Sequence, residues 1–144
     1  MRLILLIIAV MMGAAPASAS QNVQGGECRY RPSYSCALAD DAISRTICTK
    51  IELMTADCAM GYAYRDARAL PGVNLNGRLH KNQRAWIRQR DKACAEHLHV
   101  GRPGPGLAEC LQTQTEKRLL WLIEHYKLTT TDKVYQPFAR AKPQ

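Results

Sequence analysis

The side chains able to do chemistry here are six cysteines, four histidines and a set of charges at helical spacing. Cys94, His97 and His99 come closest to a metal-ligand grouping. The two histidines, however, stand one residue apart near the end of a helical pattern, and solvated imidazoles are expected there. The sequence contains neither C-x-x-C nor C-x-x-C-H, which sets aside paired-cysteine zinc sites and covalently attached haem. His80 and His125 are joined by no motif to a nucleophile or a second acid–base group, so neither is assigned a catalytic role. The expectation is a protein that is not an enzyme, with no catalytic residue, metal or cofactor.

The remaining candidates are charges on apolar faces. The block QRAWIRQRDKAC (83–94), taken back to Leu79 and wound at about 100° per residue, places Leu79, Trp86, Ile87, Ala93 and Cys94 on one side. Gln83 and Arg90 fall in the middle of that side. Asp57 lies among Leu53, Ala56, Met60 and Tyr64, and Arg118 lies among Leu107, Leu111, Trp121 and Leu122. An unpaired buried charge is prohibitively expensive. Asp57, Arg90 and Arg118 are therefore expected to meet inside the fold with Tyr64 and Gln83 as hydrogen-bond partners. Such a cluster has the composition of an active site, but its expected role is structural, fixing how the helices register.

Opposite Arg90, the same helix carries Lys81, Arg84, Arg88 and Lys92, and residues 78–92 hold six cations and one acid. This is either a solvated helix face or a footprint for an acidic partner such as anionic lipid, cell-wall polymer or an acidic protein surface. Nucleic acid is set aside, because no stacking aromatics alternate with the cations. Arg102 sits in VGRPGPG (100–106), where two prolines and three glycines exclude helix.

The elements that must position these residues follow from periodicity. Residues 1–19 read as a secretory leader: Arg2, an apolar run over 3–12, and the small-x-small pattern Ala17-Ser18-Ala19, with cleavage expected after Ala19. That run is too short to span a bilayer, and no second long apolar stretch follows, so a periplasmic or secreted protein without a transmembrane segment is expected. Losing Arg2 lowers the net charge from +8 to +7. An even cysteine count in such a chain points to disulfides, with the connectivity left open. Residues 20–35 read as irregular. Helices are expected at about 40–48, 50–68 (with continuity between these two left open), 78–98 and 107–126, then a flexible tail over 128–144. The run 119–123 is apolar all round, and is expected to be covered by the N-terminal segment rather than to expose Leu120 and Ile123. The fold class is all-α: a small antiparallel bundle of three to four helices stapled by disulfides, without a sheet.

Cys36 and Cys48 in C-x(11)-C, Leu53, Asp57, Tyr64, the block Q-x-x-W-x-x-x-R-D-x-x-C from Gln83 to Cys94, then Cys110-Leu111 and Arg118, resemble the LprI-like lysozyme-inhibitor family over about 36–122. The helical domain is accordingly placed at 36–127. The resemblance implies bridges Cys36 to Cys48 and Cys94 to Cys110, leaving Cys28 with Cys58. Ser44 stands where the family usually has a glutamate, and Cys28 and Cys58 are extra to its two pairs. The implied function is an exported binding protein that inhibits a lysozyme-type glycoside hydrolase; Arg102, on a loop stiffened by Pro103 and Pro105, is the candidate cation for the paired carboxylates of such a cleft. The alternative is an envelope protein that binds an anionic cell-wall or membrane component through Lys81, Arg84, Arg88 and Lys92.

Overall fold

The computed structural model describes Cys28 and residues 32–129. The expected leader at 1–19, most of the irregular segment before residue 32, and the tail from 130 onward lie outside the described residues. The described chain is a bundle of four helices: α1 (Ala42–Thr49), α2 (Ile51–Ala69), α3 (Arg78–Cys94) and α4 (Leu107–His125). Short 3-10 turns occur at Cys36–Leu38, Leu75–Gly77 and Ala95–His97. Contrary to the expectation of no sheet, two-residue strands β1 (Leu98–His99) and β2 (Arg102–Pro103) pair antiparallel, Leu98 opposite Pro103 and His99 opposite Arg102.

Local chemistry explains the boundaries. The Asp41 carboxylate caps α1 by accepting from the amides of Ile43 at 2.7 Å and Ser44 at 2.9 Å. The Ser44 hydroxyl oxygen accepts in turn from the Asp41 amide, closing a capping box. Burial pushes the Asp41 pKa upward, but the bonds from Ser44 and Ile43 outweigh it and hold the carboxyl below the ordinary aspartate value. Helices α1 and α2 are not continuous. Lys50 between them is extended, with φ −112° and ψ 115°. Helix α2 ends ahead of Pro71, whose ring drives Leu70 to the extended conformation. Asn76 at φ 54° and Gly77 at φ 69° then turn the chain in the left-handed region before α3 begins.

Helix α3 stops at Cys94, four residues before the expected end at 98. There the His97 carbonyl accepts from the Gly104 amide at 2.9 Å, a bond across the hairpin that an α-helical continuation would not make. Helix α4 closes with Lys127 in the left-handed region at φ 53°. The Leu128 amide donates back to the Ile123 carbonyl at 3.0 Å, the long bond of a Schellman ending.

The interior has two parts. In one, Ala59, Ala63 and Ala67 of α2 form a small-residue seam against Leu119, Leu122 and Ile123 of α4, with Leu79 of α3 and Cys28 added. In the other, Ile47, Leu53, Leu107 and Leu111 pack with Cys94. Disulfides reinforce both: Cys28–Cys58 holds the N-terminal segment on α2, Cys36–Cys48 holds the first 3-10 turn on α1, and Cys94–Cys110 joins the end of α3 to the first turn of α4. The apolar run on α4 divides: Ile123 is buried, Leu120 is half-buried, and Trp121 is exposed. Ile123 shares its cluster with Cys28, while Trp121 stacks on His125 with ring centroids 4.6 Å apart.

Candidate functional site

The buried charges come first. Asp57 on α2 is 3% exposed, yet its Oδ2 accepts from the Ser33 amide at 2.8 Å and the Ser33 hydroxyl at 2.6 Å. The Arg90 guanidinium from α3 lies 3.8 Å from the other oxygen. Its shorter bonds go to Asp91, whose Oδ1 accepts from Nε and Nη2 at 2.8 Å each. Gly61 makes this approach possible, because a Cβ there would come within 2.7 Å of the Ser33 Cβ. Tyr34 lies nearby and donates its hydroxyl to the Ser44 carbonyl at 3.0 Å. Burial first, and the Asp57 carboxylate second, push the Tyr34 pKa up to about 12.

Arg118 does not join an acid in this cluster. Its Nε donates to Gln83 Oε1 at 3.0 Å and its Nη2 to Asn82 Oδ1 at 2.6 Å, and the guanidinium lies 4.3 Å from the Trp121 ring. Burial lowers its pKa. Arg90 and Arg118 do share one neighbour, the Trp86 ring, at 5.3 and 5.6 Å. Gln83 bonds Arg118 and turns its amide nitrogen to the Met60 sulfur. Tyr64 takes no part, since its hydroxyl lies 3.3 Å from His80 Nδ1 on the exposed side. The structure thus brings Asp57 to Arg90 and Gln83 to Arg118, but does not gather all five residues.

Three polar residues, Ser33, Asn82 and Asp91, take part in this arrangement without having been expected there. Ser33 lies in an irregular segment 24 positions before Asp57, and nothing in its surroundings marks it. Asp91 had a signal, because a carboxylate directly following a buried arginine can fold back onto it. Its position off the apolar face hid the role.

The exposed candidates are arranged differently. Residues 98–103 form a hairpin whose two-residue tip, Val100 and Gly101, has φ 51° and 71°, as a type I′ turn requires at both positions. Val100 is 101% exposed. A β-branched residue in the left-handed region is strained. The hairpin is held at its base by the His97–Gly104 bond and by the Cys94–Cys110 bridge. A Cβ at Gly104 would strike the His99 ring and the His97 carbonyl, so only glycine permits this closure. Arg102 lies exposed beside the tip, and among the described residues no hydrogen bond or ion pair engages its side chain. Lys81, Arg84, Arg88 and Lys92 are likewise all exposed on α3. His97 pairs with Glu96 at 3.7 Å rather than with His99, and the described residues contain no group of three potential metal ligands. No described helix is long and apolar enough to cross a membrane.

No curated protein and no solved structure matches the chain. The family described as lysozyme inhibitor LprI does match, over residues 36–122. That span runs from the first bridged cysteine of the α1 staple to the buried Leu122 of α4 and takes in all three residues of the Asp57–Arg90–Asp91 contact. By that match the chain belongs to the lysozyme inhibitor LprI family.

Proposed function

We propose that this protein is an exported, non-catalytic inhibitor of a lysozyme-type glycoside hydrolase, and that the hairpin at 98–103 is the inhibitory element. The observation that carries the reading is the combination of a fully exposed tip with a constrained base: Val100 and Arg102 project while a disulfide and Gly104 hold the loop. A loop already in its binding shape loses little entropy on docking. The target's cleft carries two carboxylates, and Arg102 supplies a guanidinium not used within the described fold. Family membership supports the same class of target.

The test is an inhibition assay with stoichiometric oxidised protein against several lysozymes at low and moderate salt. Inhibition of a basic lysozyme should persist or strengthen as salt screens the repulsion from this basic chain. Arg102→Ala should weaken inhibition about tenfold, the loss of one charge-assisted contact. Full lysozyme activity under all conditions would reject the reading. The four exposed cations of α3 favour one alternative, binding to an anionic envelope polymer or lipid surface. Such binding should fall steeply with salt and with charge reversal at Arg84 and Arg88.

A further inference from the structure

We infer that the groove between α2 and α3 is a binding site for a small amphipathic anion, an aliphatic body ending in one carboxylate or phosphate. The groove has a volume of about 480 Å³, within the usual range of small-molecule sites. Its walls are Pro32, Met60 and Ile87 with the rings of Tyr62 and Tyr64. This site is separate from the hairpin and does not rest on the inhibitor reading.

The class of ligand follows from which lining groups remain available. The Ser33 hydroxyl and amide are committed to Asp57. Gln83 is committed at both ends, to Arg118 and to Met60. The Tyr64 hydroxyl faces His80. A sugar or other polyol would find these groups occupied, because each would have to break an internal bond to read a ligand hydroxyl. Apart from the Tyr62 hydroxyl and the second ring nitrogen of His80, the surfaces left over are apolar, so the body of the ligand is apolar.

The mouth sets the charge. Arg65 and Arg84 both line the groove and both are exposed, while among the described residues no carboxylate lines it. Arg65 is positioned by stacking on Tyr62, its guanidinium carbon 4.1 Å from the ring centroid. Among the described residues no hydrogen bond or ion pair engages Arg84. Two guanidiniums at the edge of an apolar groove fit one anionic head group, which they would bind by charge-assisted hydrogen bonds.

Isothermal titration of the oxidised full-length chain with monomeric decanoate and decyl phosphate tests the inference, with decanol as the uncharged control and an N-acetylglucosamine oligomer as the polyol control. One-to-one binding of either anion, about tenfold tighter than decanol, is expected. Arg65→Gln with Arg84→Gln should reduce the anions to the affinity of decanol while leaving the melting temperature unchanged. Ile87→Trp should block both anions and decanol. If decanoate alone binds the source is a fatty acid, and if decyl phosphate binds better it is a phospholipid-type head group; either supports the site. Absence of saturable binding by both anions, binding indifferent to the two arginines, or preference for the sugar oligomer would overturn it. Binding to anionic vesicles without binding of either monomeric anion would overturn it as well, by assigning the cations to a surface rather than a groove.

Discussion

Asp57 with Arg90 and the hairpin with Arg102 are two places where the described chain combines charge with structural constraint, and they use their polar atoms in opposite ways. At Asp57, one carboxylate oxygen takes two bonds from Ser33 and the other faces Arg90, whose remaining nitrogens bind Asp91. The Asp57 carboxylate, 3% exposed, is turned to the fold and away from solvent. At the hairpin, the constraint lies in the backbone and the disulfide, and the side chains of Val100 and Arg102 stay outside. The contrast separates a charge cluster that builds the fold from one available to a partner, although both look functional in composition.

The comparison breaks most easily at Asp57. Asp57→Ala takes away the acceptor that holds Ser33 on α2 and removes one of the two acids near the buried Arg90. Breaking a buried pair costs roughly 3 to 5 kcal/mol, and because Asp91 stays in place the lower end, about 3 kcal/mol, is expected. Urea unfolding of the oxidised protein measures it. A variant as stable as the wild type would show that the cluster is not structural, and the distinction from the hairpin would fall.

Removing the other staple should affect stability and function together. Replacing Cys94 and Cys110 by serine opens a loop of 16 residues' separation, worth about 3 kcal/mol on loop-closure entropy. Inhibition should drop further than the folded fraction accounts for, because the hairpin loses its anchor. If inhibition per folded molecule is unchanged, the hairpin does not need that anchor and the constraint argument fails.

A pH measurement sharpens the buried side. The Tyr34 pKa is raised in the folded protein to about 12 from an ordinary value of 10.0. Because the folded state holds the proton more tightly, this contribution is fully present below pH 10 and is lost as pH rises through about 12. Tyr34→Phe should remove that loss, so the stability gap between wild type and variant narrows across the window. Parallel curves in chemical denaturation would place Tyr34 outside the influence of Asp57 and burial.

How much of this was legible depended on the range of the signal. Periodicity located the four helices, and the charges at Asp57, Arg90 and Arg118 stood out because they interrupt apolar faces. The same wheel could not say how the helices rotate against one another. It therefore grouped Tyr64 with Asp57, whereas the alanine seam at Ala59, Ala63 and Ala67 faces the core and leaves the Tyr64 hydroxyl beside His80. Likewise it carried α3 to residue 98, because the bond that ends the helical course, His97 to Gly104, closes through a loop. Arg102 was visible as a cation among prolines and glycines. The paired strands around it were not, since a ladder of two residues is too short for alternation to register.

The smallest effect bears on the hairpin itself. Val100 occupies a left-handed conformation that costs a β-branched residue on the order of 1 kcal/mol, and asparagine followed by glycine is the preferred pair for a type I′ tip. Val100→Asn keeps Gly101 in place and should therefore raise stability by about 0.5 to 1 kcal/mol, read as a shift of the urea midpoint at constant slope. A residue that is unfavourable for its own backbone and wholly exposed gains nothing for the folded protein from its side chain. If the hairpin is the inhibitory element as proposed, its isopropyl group meets the target, so the stabilised variant should inhibit several-fold less well than the wild type. If Val100→Asn is stabilised and inhibits equally, the contact lies away from the tip, and Arg102 would have to act from the flank of the hairpin without an apolar neighbour inserted beside it.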